Sequence, residues 1–232
     1  MNVEDFYLGE PKYYVAVDCI VFGYENDELK LLLYPRHLPP SEGSWSLMGG
    51  FVQENESLED TTLRVLKQRV GLENIYMKQV HGFSAPDRDP GGRVLSMAFY
   101  ALIRIDQHDR ELVDSHGARW FPFDDVPELI FDHPEMVRLA LEKLQETASY
   151  KLIGKELLPE RFTLTQLHNL YNAIFQRKFD AGNFRKKLTA LNLLNRLSIK
   201  DTNGSKRGAY YYTFKEQIDD SPIERIVKKI IK

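Results

Sequence analysis

One cysteine in 232 residues leaves no partner for a disulfide or a thiolate metal site. Cys19 sits in the apolar run YVAVDCIVFGY, where it reads as a small core residue. No segment approaches the roughly 20 apolar residues that cross a bilayer, which argues against a membrane partner. The start, MNVEDFYLGEPKYY, has neither the basic opening nor the apolar stretch of an export signal, so a soluble, cytoplasmic chain is expected. Internal repeats and low-complexity tracts are also missing.

What is present is enough apolar material for a core, 43% hydrophobic and 12% aromatic, at a length that suits two domains. Charge is unevenly spread. Residues 1–149 hold 14 Lys and Arg against 26 Asp and Glu, whereas residues 150–232 hold 17 against 8. An acidic body with a basic appendage points to a polyanion partner for the second part alone.

Two apolar runs, Tyr13–Phe22 and Leu29–Tyr34, flank the turn-like GYENDE and predict a hairpin. Further strands are expected around Ile75–Phe83 and Val94–Ile105, the latter nearly continuous in apolar residues, as in a sheet covered on both faces. Asp132 can cap a helix that runs to about Thr147, with Pro134 suited to its first position and Glu135 to a capping box. The mixture predicts an α+β or α/β body over residues 1–149.

From Tyr150 the composition changes. Thr163 and Gln166 form a second capping box ahead of Leu167, Leu170, Tyr171 and Ile174 at helical spacing. FDAGNFRKKLTALNLL predicts another helix, capped by Asp180. RLSIKDTNGSKRGAYYYTF predicts two strands joined at Asn203-Gly204. Helix, helix and basic hairpin is the order of a winged helix-turn-helix.

The stretch MGGFVQENESLEDTTLRVLKQRVGL carries Gly50, Glu56, Arg64, Leu66, Gly71 and Leu72 at fixed spacings, and resembles the Nudix box, G-x5-E-x7-R-E-U-x-E-E-x-G-U, with U a bulky aliphatic residue. The resemblance implies a Nudix-like α/β/α sandwich. Three carboxylates that follow the arginine in that box, on one helix face, gather magnesium on a diphosphate. Here those positions hold Val65, Gln68 and Arg69. No metal site, no catalytic residue and no cofactor is expected. Glu54, Glu56 and Glu59 read as a solvated acidic surface. Ser57 and Asp60 can cap the helix, Leu58, Leu63 and Leu66 can face the sheet, and Gly71 can end it.

SAPDRDPGGRV and FDHPEMVRLALEKL are similar to segments of Nudix proteins that act on ADP-ribose and related compounds. Arg36, Trp45, Arg88, Asp89, Arg93 and His133 are therefore candidate effector contacts, with arginines for phosphate oxygens and Asp89 for sugar hydroxyls. Bland roles stand beside these: Trp45 in a core, Arg88 with Asp89 as a surface pair, His133 shaping a helix start.

With Phe184, Leu188 and Leu191 turned inward, Arg185, Lys186 and Thr189 point outward, Asn183 lies on the shoulder and Lys187 nearer the buried edge. That division suits a helix reading DNA. Lys200, Lys206 and Arg207 add charge on the hairpin, Ser205 and Tyr210 add hydroxyls, and Gly208 would let backbone approach a phosphate ridge. The whole chain resembles the Nudix-related transcriptional regulators. This implies a small-molecule effector, a sugar or an ADP-ribose-like compound, and a homodimer on a palindromic operator in double-stranded DNA. The alternatives are a Nudix hydrolase of ADP-ribose-like or nucleotide-sugar substrates with displaced metal ligands, and a pure protein-interaction module.

Overall fold

The computed structural model describes residues 7–71, 75–106, 110–202 and 208–215. Its first part is a mixed seven-stranded sheet. Strands β1 (Tyr14–Glu25) and β2 (Glu28–Pro35) form the expected hairpin, with Val21 opposite Leu32. The two-residue connection, Asn26-Asp27, takes φ of 54° and 64°. Left-handed residues at both positions match the twist of the flanking strands, and Asn and Asp tolerate them best after glycine.

β3 (Trp45–Ser46) lies on β2, and β4 (Met48–Phe51) lies on β1. β5 (Tyr76–Phe83) is antiparallel to β6 (Val94–Ile103), which runs parallel to β1. β7 (Arg119–Pro122) closes on β2. The order is β3-β2-β1-β6-β5. Alternate residues of β1 enter different cores: Val17, Cys19 and Val21 pack towards α1 (Leu58–Val70), Ile20 and Phe22 towards α3 (His133–Tyr150). The short α2 (Arg110–Ser115) brings Val113 to the first of these faces. A helix layer on each side of the sheet makes the sandwich, and the near-continuous apolar run of β6 follows from burial on both faces.

α1 begins with the reciprocal capping box of Ser57 and Asp60 and ends at Gly71, whose φ of 74° is left-handed. Its buried stripe is Val65, Leu66 and Val70 with Thr61 and Thr62; Leu58 and Leu63, expected to face the sheet, are only half-buried. α3 also departs from expectation. Asp132 caps by position but makes no side-chain cap bond, because Arg88 donates to both of its carboxylate oxygens at 2.8 Å. Glu135 accepts from Arg138 instead of closing a capping box, and the helix continues to Tyr150.

The second part contains β8 (Phe162–Thr163), α4 (Leu164–Phe175), α5 (Ala181–Ala190), β9 (Leu194–Asp201) and β10 (Ala209–Phe214), with sheet order β8-β10-β9. Thr163 and Gln166 cap α4 reciprocally, and Asp180 caps α5 by accepting from the Asn183 amide at 2.7 Å. α5 stops at Ala190, short of the expected Leu194, because Asn192 turns left-handed (φ 55°) and feeds β9.

One apolar cluster joins the two parts. It runs from Phe22 and Tyr100 through Leu144 and Ala148 of α3, across Ile153 and Leu157, to Leu170, Phe184 and Leu188. Polar links accompany it: the Tyr171 hydroxyl accepts from the Ile153 amide at 3.2 Å, and Asn169 donates to Asp27 at 2.8 Å. Among the described residues no helix is long and apolar enough to cross a membrane.

Candidate functional site

A cavity of about 190 Å³ opens where β1, β4, the β5–β6 loop and the start of α3 meet. Asp18, a single charge inside the apolar run of β1, is brought to its wall. Gly49 allows this, since a Cβ there would stand 2.6 Å from the Asp18 carboxylate. Asp18 accepts from the Ser96 hydroxyl at 2.6 Å and lies 3.7 Å from both the Arg88 guanidinium and His133 Nε2. His133 Nδ1 accepts from the Leu47 amide at 3.2 Å, so a neutral ring carries its proton on Nε2, facing Asp18. Burial pushes the His133 pKa below its ordinary value, against the pull of Asp18.

Arginines dominate the remaining wall. Arg36 donates through Nε to the Leu38 and Pro40 carbonyls, and its guanidinium lies 5.2 Å from the centre of the Phe131 ring. Phe131 holds a φ of 52°, a sparse region for a bulky residue and a mark of local constraint. Arg69 lies 5.2 Å above the Tyr34 ring. Arg88 is buried and bidentate to Asp132, which leaves it structural in this arrangement. Asp89 lines the opening and accepts from the Gly91 amide at 2.7 Å.

Of the six expected contacts, Arg36, Arg88, Asp89 and His133 therefore converge here. Trp45 and Arg93 lie elsewhere. Trp45 stacks edge-on against Phe121 at 4.8 Å in the α3-side core, and Arg93 donates to the Ser84 and Ala85 carbonyls beside Tyr13. The sequence reading placed Arg69 at a metal position without counting it as an effector contact, and it missed Asp18, Tyr34 and Phe131 as parts of the cavity. A lone carboxylate in a hydrophobic strand was a usable signal for Asp18; the others depend on long-range packing. A larger cleft of about 470 Å³ lies between Asp27, Glu28, Asp124 and Asp125 on one side and Arg177 and Lys178 on the other. Its surplus of carboxylates suits an anionic ligand poorly.

The Nudix metal positions do not fit magnesium. Val65 is buried against Gly50, Gln68 is exposed, and Arg69 carries a cation into the cavity. No hard oxygen donor is offered by two of the three, and a fixed positive charge repels the ion. Glu56, expected on a solvated surface, is instead gripped by Arg64, accepts from Thr61, and is held down at a pKa of about 2. Its work is to tie the loop to α1.

On the second domain, Phe184 and Leu188 are buried while Asn183, Arg185, Lys186 and Thr189 are exposed and Lys187 is half-buried. Arg185 reaches back to the Thr165 hydroxyl at 2.8 Å, which ties α5 to the start of α4. Lys200 and Arg196 flank the Tyr210 ring at 4.7 and 4.6 Å. Arg196 was not expected at this face. Gly208 takes a φ of 65°, so the turn itself demands glycine. Ser205, Lys206 and Arg207 lie outside the described residues.

A sandwich with a cation-lined cavity, continuous with a winged helix whose exposed helix face is basic, defines a two-domain DNA-binding regulator. The chain matches the NUDIX domain over residues 12–140 and the NrtR DNA-binding winged helix domain over residues 154–214. It is 27% identical to the ADPR responsive transcriptional repressor NtrR of Acinetobacter baylyi over 222 residues, covering 94% of this chain and 88% of that protein. It is 35% identical to an ADP-ribose pyrophosphatase of Methanocaldococcus jannaschii over 127 residues, 53% of this chain and 70% of the relative. The crystal structure of Shewanella oneidensis NrtR complexed with a 27mer DNA superposes with a TM-score of 0.78 at 29% identity, covering 87% of this chain and 93% of that one. The chain belongs to the Nudix-related transcriptional regulators, with a Nudix domain followed by an NrtR-type winged helix.

Proposed function

We propose that the chain is a transcriptional repressor whose Nudix body binds an ADP-ribose-like effector without hydrolysing it, and so alters DNA binding by the second domain. The observation that carries this is the cavity, where arginines stand around a site stripped of its magnesium ligands. At about 190 Å³ it is below the roughly 300–1,000 Å³ of a full ligand pocket. It suits the charged part of such a ligand, the remainder lying in the open mouth. A similarly built repressor in Acinetobacter is described as ADPR responsive, which favours ADP-ribose over a free sugar. Domains of residues 1–149 and 150–232, action in the cytoplasm, and a homodimer on a palindromic operator complete the proposal.

DNA is met by Asn183, Arg185, Lys186, Lys187 and Thr189, with Lys200, Ser205, Lys206, Arg207 and Tyr210. Replacing Arg185 and Lys186 together by alanine is expected to abolish retention of promoter DNA in a gel-shift assay and to flatten its salt dependence. Unchanged binding would refute the assignment. Adding ADP-ribose to the wild-type complex is expected to shift the bound fraction; no shift at millimolar effector would refute the sensing role. The hydrolase reading is favoured by the likeness to a pyrophosphatase. Turnover of ADP-ribose with magnesium near ordinary enzyme rates, roughly 1–1,000 per second, would establish it instead.

A further inference from the structure

We infer that Arg69 takes the place of the absent cation, binding effector phosphate directly and making recognition independent of divalent metal. This rests on the proposed effector site and specifies its chemistry. Arg69 occupies the last of the three positions where the Nudix pattern has a metal-binding carboxylate. Its side chain reaches the same cavity wall as Arg36 and Tyr34.

Of the other two cavity arginines, Arg88 is held by carboxylates, and Arg36 is anchored through Nε with its two Nη groups still open to a ligand. Among the described residues, Arg69 has no hydrogen-bonded acceptor and rests only on the Tyr34 ring. Its fork of N–H donors therefore stays available to an incoming oxyanion. Burial pushes the Tyr34 pKa above its ordinary value, and the charges of Arg69 and Arg36 both pull against that rise, so both cations act on one end of the cavity. The cation–π contact restrains the guanidinium without consuming its donors, which leaves it free for bidentate phosphate contact.

The backbone agrees with this substitution. Val65 fills the space beneath Gly50, its methyl 2.8 Å from where a Cβ on that glycine would lie. A buried valine closes the inner metal position, while the arginine one turn later puts a permanent charge at the outer one. A metal-bound diphosphate presents neutralised oxygens. Here the protein supplies the neutralising charge itself.

The test uses the full chain, ADP-ribose and inorganic pyrophosphate, each titrated calorimetrically in EDTA and in millimolar magnesium. Wild-type affinity for ADP-ribose is expected to be equal in both buffers. Arg69→Gln is expected to weaken both ligands about 10- to 100-fold, the loss associated with one charge-assisted contact of ~1.5–3 kcal/mol. Arg69→Lys should recover part of that loss, because it keeps the charge without the fork. Thermal unfolding of each variant checks that the fold is kept. Binding that requires magnesium, or wild-type affinity in Arg69→Gln, overturns the inference while leaving the effector proposal intact. Pyrophosphate bound through Arg69 without ADP-ribose binding would uphold it and defeat the effector proposal. Failure of both ligands in both buffers overturns both.

Discussion

Glu56 and His133 show how single side chains make the body sensitive to acid in two separate ranges. The Arg64 contacts hold Glu56 at a pKa of about 2, below its ordinary 4.5, so its stabilising contribution is complete above 4.5 and is lost as pH falls towards 2. Glu56→Gln is expected to lower the urea midpoint at pH 7, with the gap to wild type closing by about pH 2–3. A constant gap would mean that the carboxylate charge is irrelevant. His133 works the other way round in charge but with the same sign. Its folded pKa lies below the ordinary 6.5, so the unfolded chain takes up its proton first, and stability declines as pH drops below 6.5. Replacing His133 by asparagine should remove that slope in a denaturation series between pH 7 and pH 5. The difference between these residues also explains what sequence could reveal. Glu56 and Arg64, eight residues apart in one motif, were close enough for their pairing to be read, yet Glu56 was expected on a solvated surface; His133 meets Leu47 and Asp18 only after three elements have packed together.

At the scale of elements, local chemistry was the reliable guide. The capping boxes of α1 and α4, the Asp180 cap, the β1–β2 hairpin and the inward stripe of α5 all follow from short-range rules and stand in the structure as expected. The failures came where a distant partner competed. Asp132 could cap α3 but is captured by Arg88 from 44 residues away. Trp45 faces Phe121 because β7 returns to β2, a pairing with no signature in either segment. Asp180→Ala is expected to cost about 1 kcal/mol, the usual loss for a helix cap, and to reduce DNA affinity by fraying the first turn of α5. Equal stability of the variant in chemical denaturation would show that the turn is held by packing alone.

For the molecule as a whole, the shared apolar cluster decides how it unfolds. Leu157 and Leu158 lie between the two domains and are buried to 3% and 2% exposure, a poor design for a loose tether. Heating is expected to give one calorimetric transition, coincident with loss of near-ultraviolet signal from both parts. Leu157→Ala should lower stability by roughly 2–5 kcal/mol and move that single transition as a unit. Two resolved transitions would mean that the domains melt separately. The order of elements was legible from the chain, and so was the acidic-to-basic change near Tyr150. Their continuity was not, because Ile153 and Leu157 look like ordinary linker residues until the surfaces they join are known.

That continuity limits how freely such a regulator can be rearranged. Cutting the chain just after α3 would strand Ile153, Leu157, Leu158 and Tyr171 in water, leaving a sticky fragment instead of an independent reader. Grafting this winged helix onto a different sensor would require carrying the second half of α3 with it, or rebuilding the apolar bed on which α4 rests.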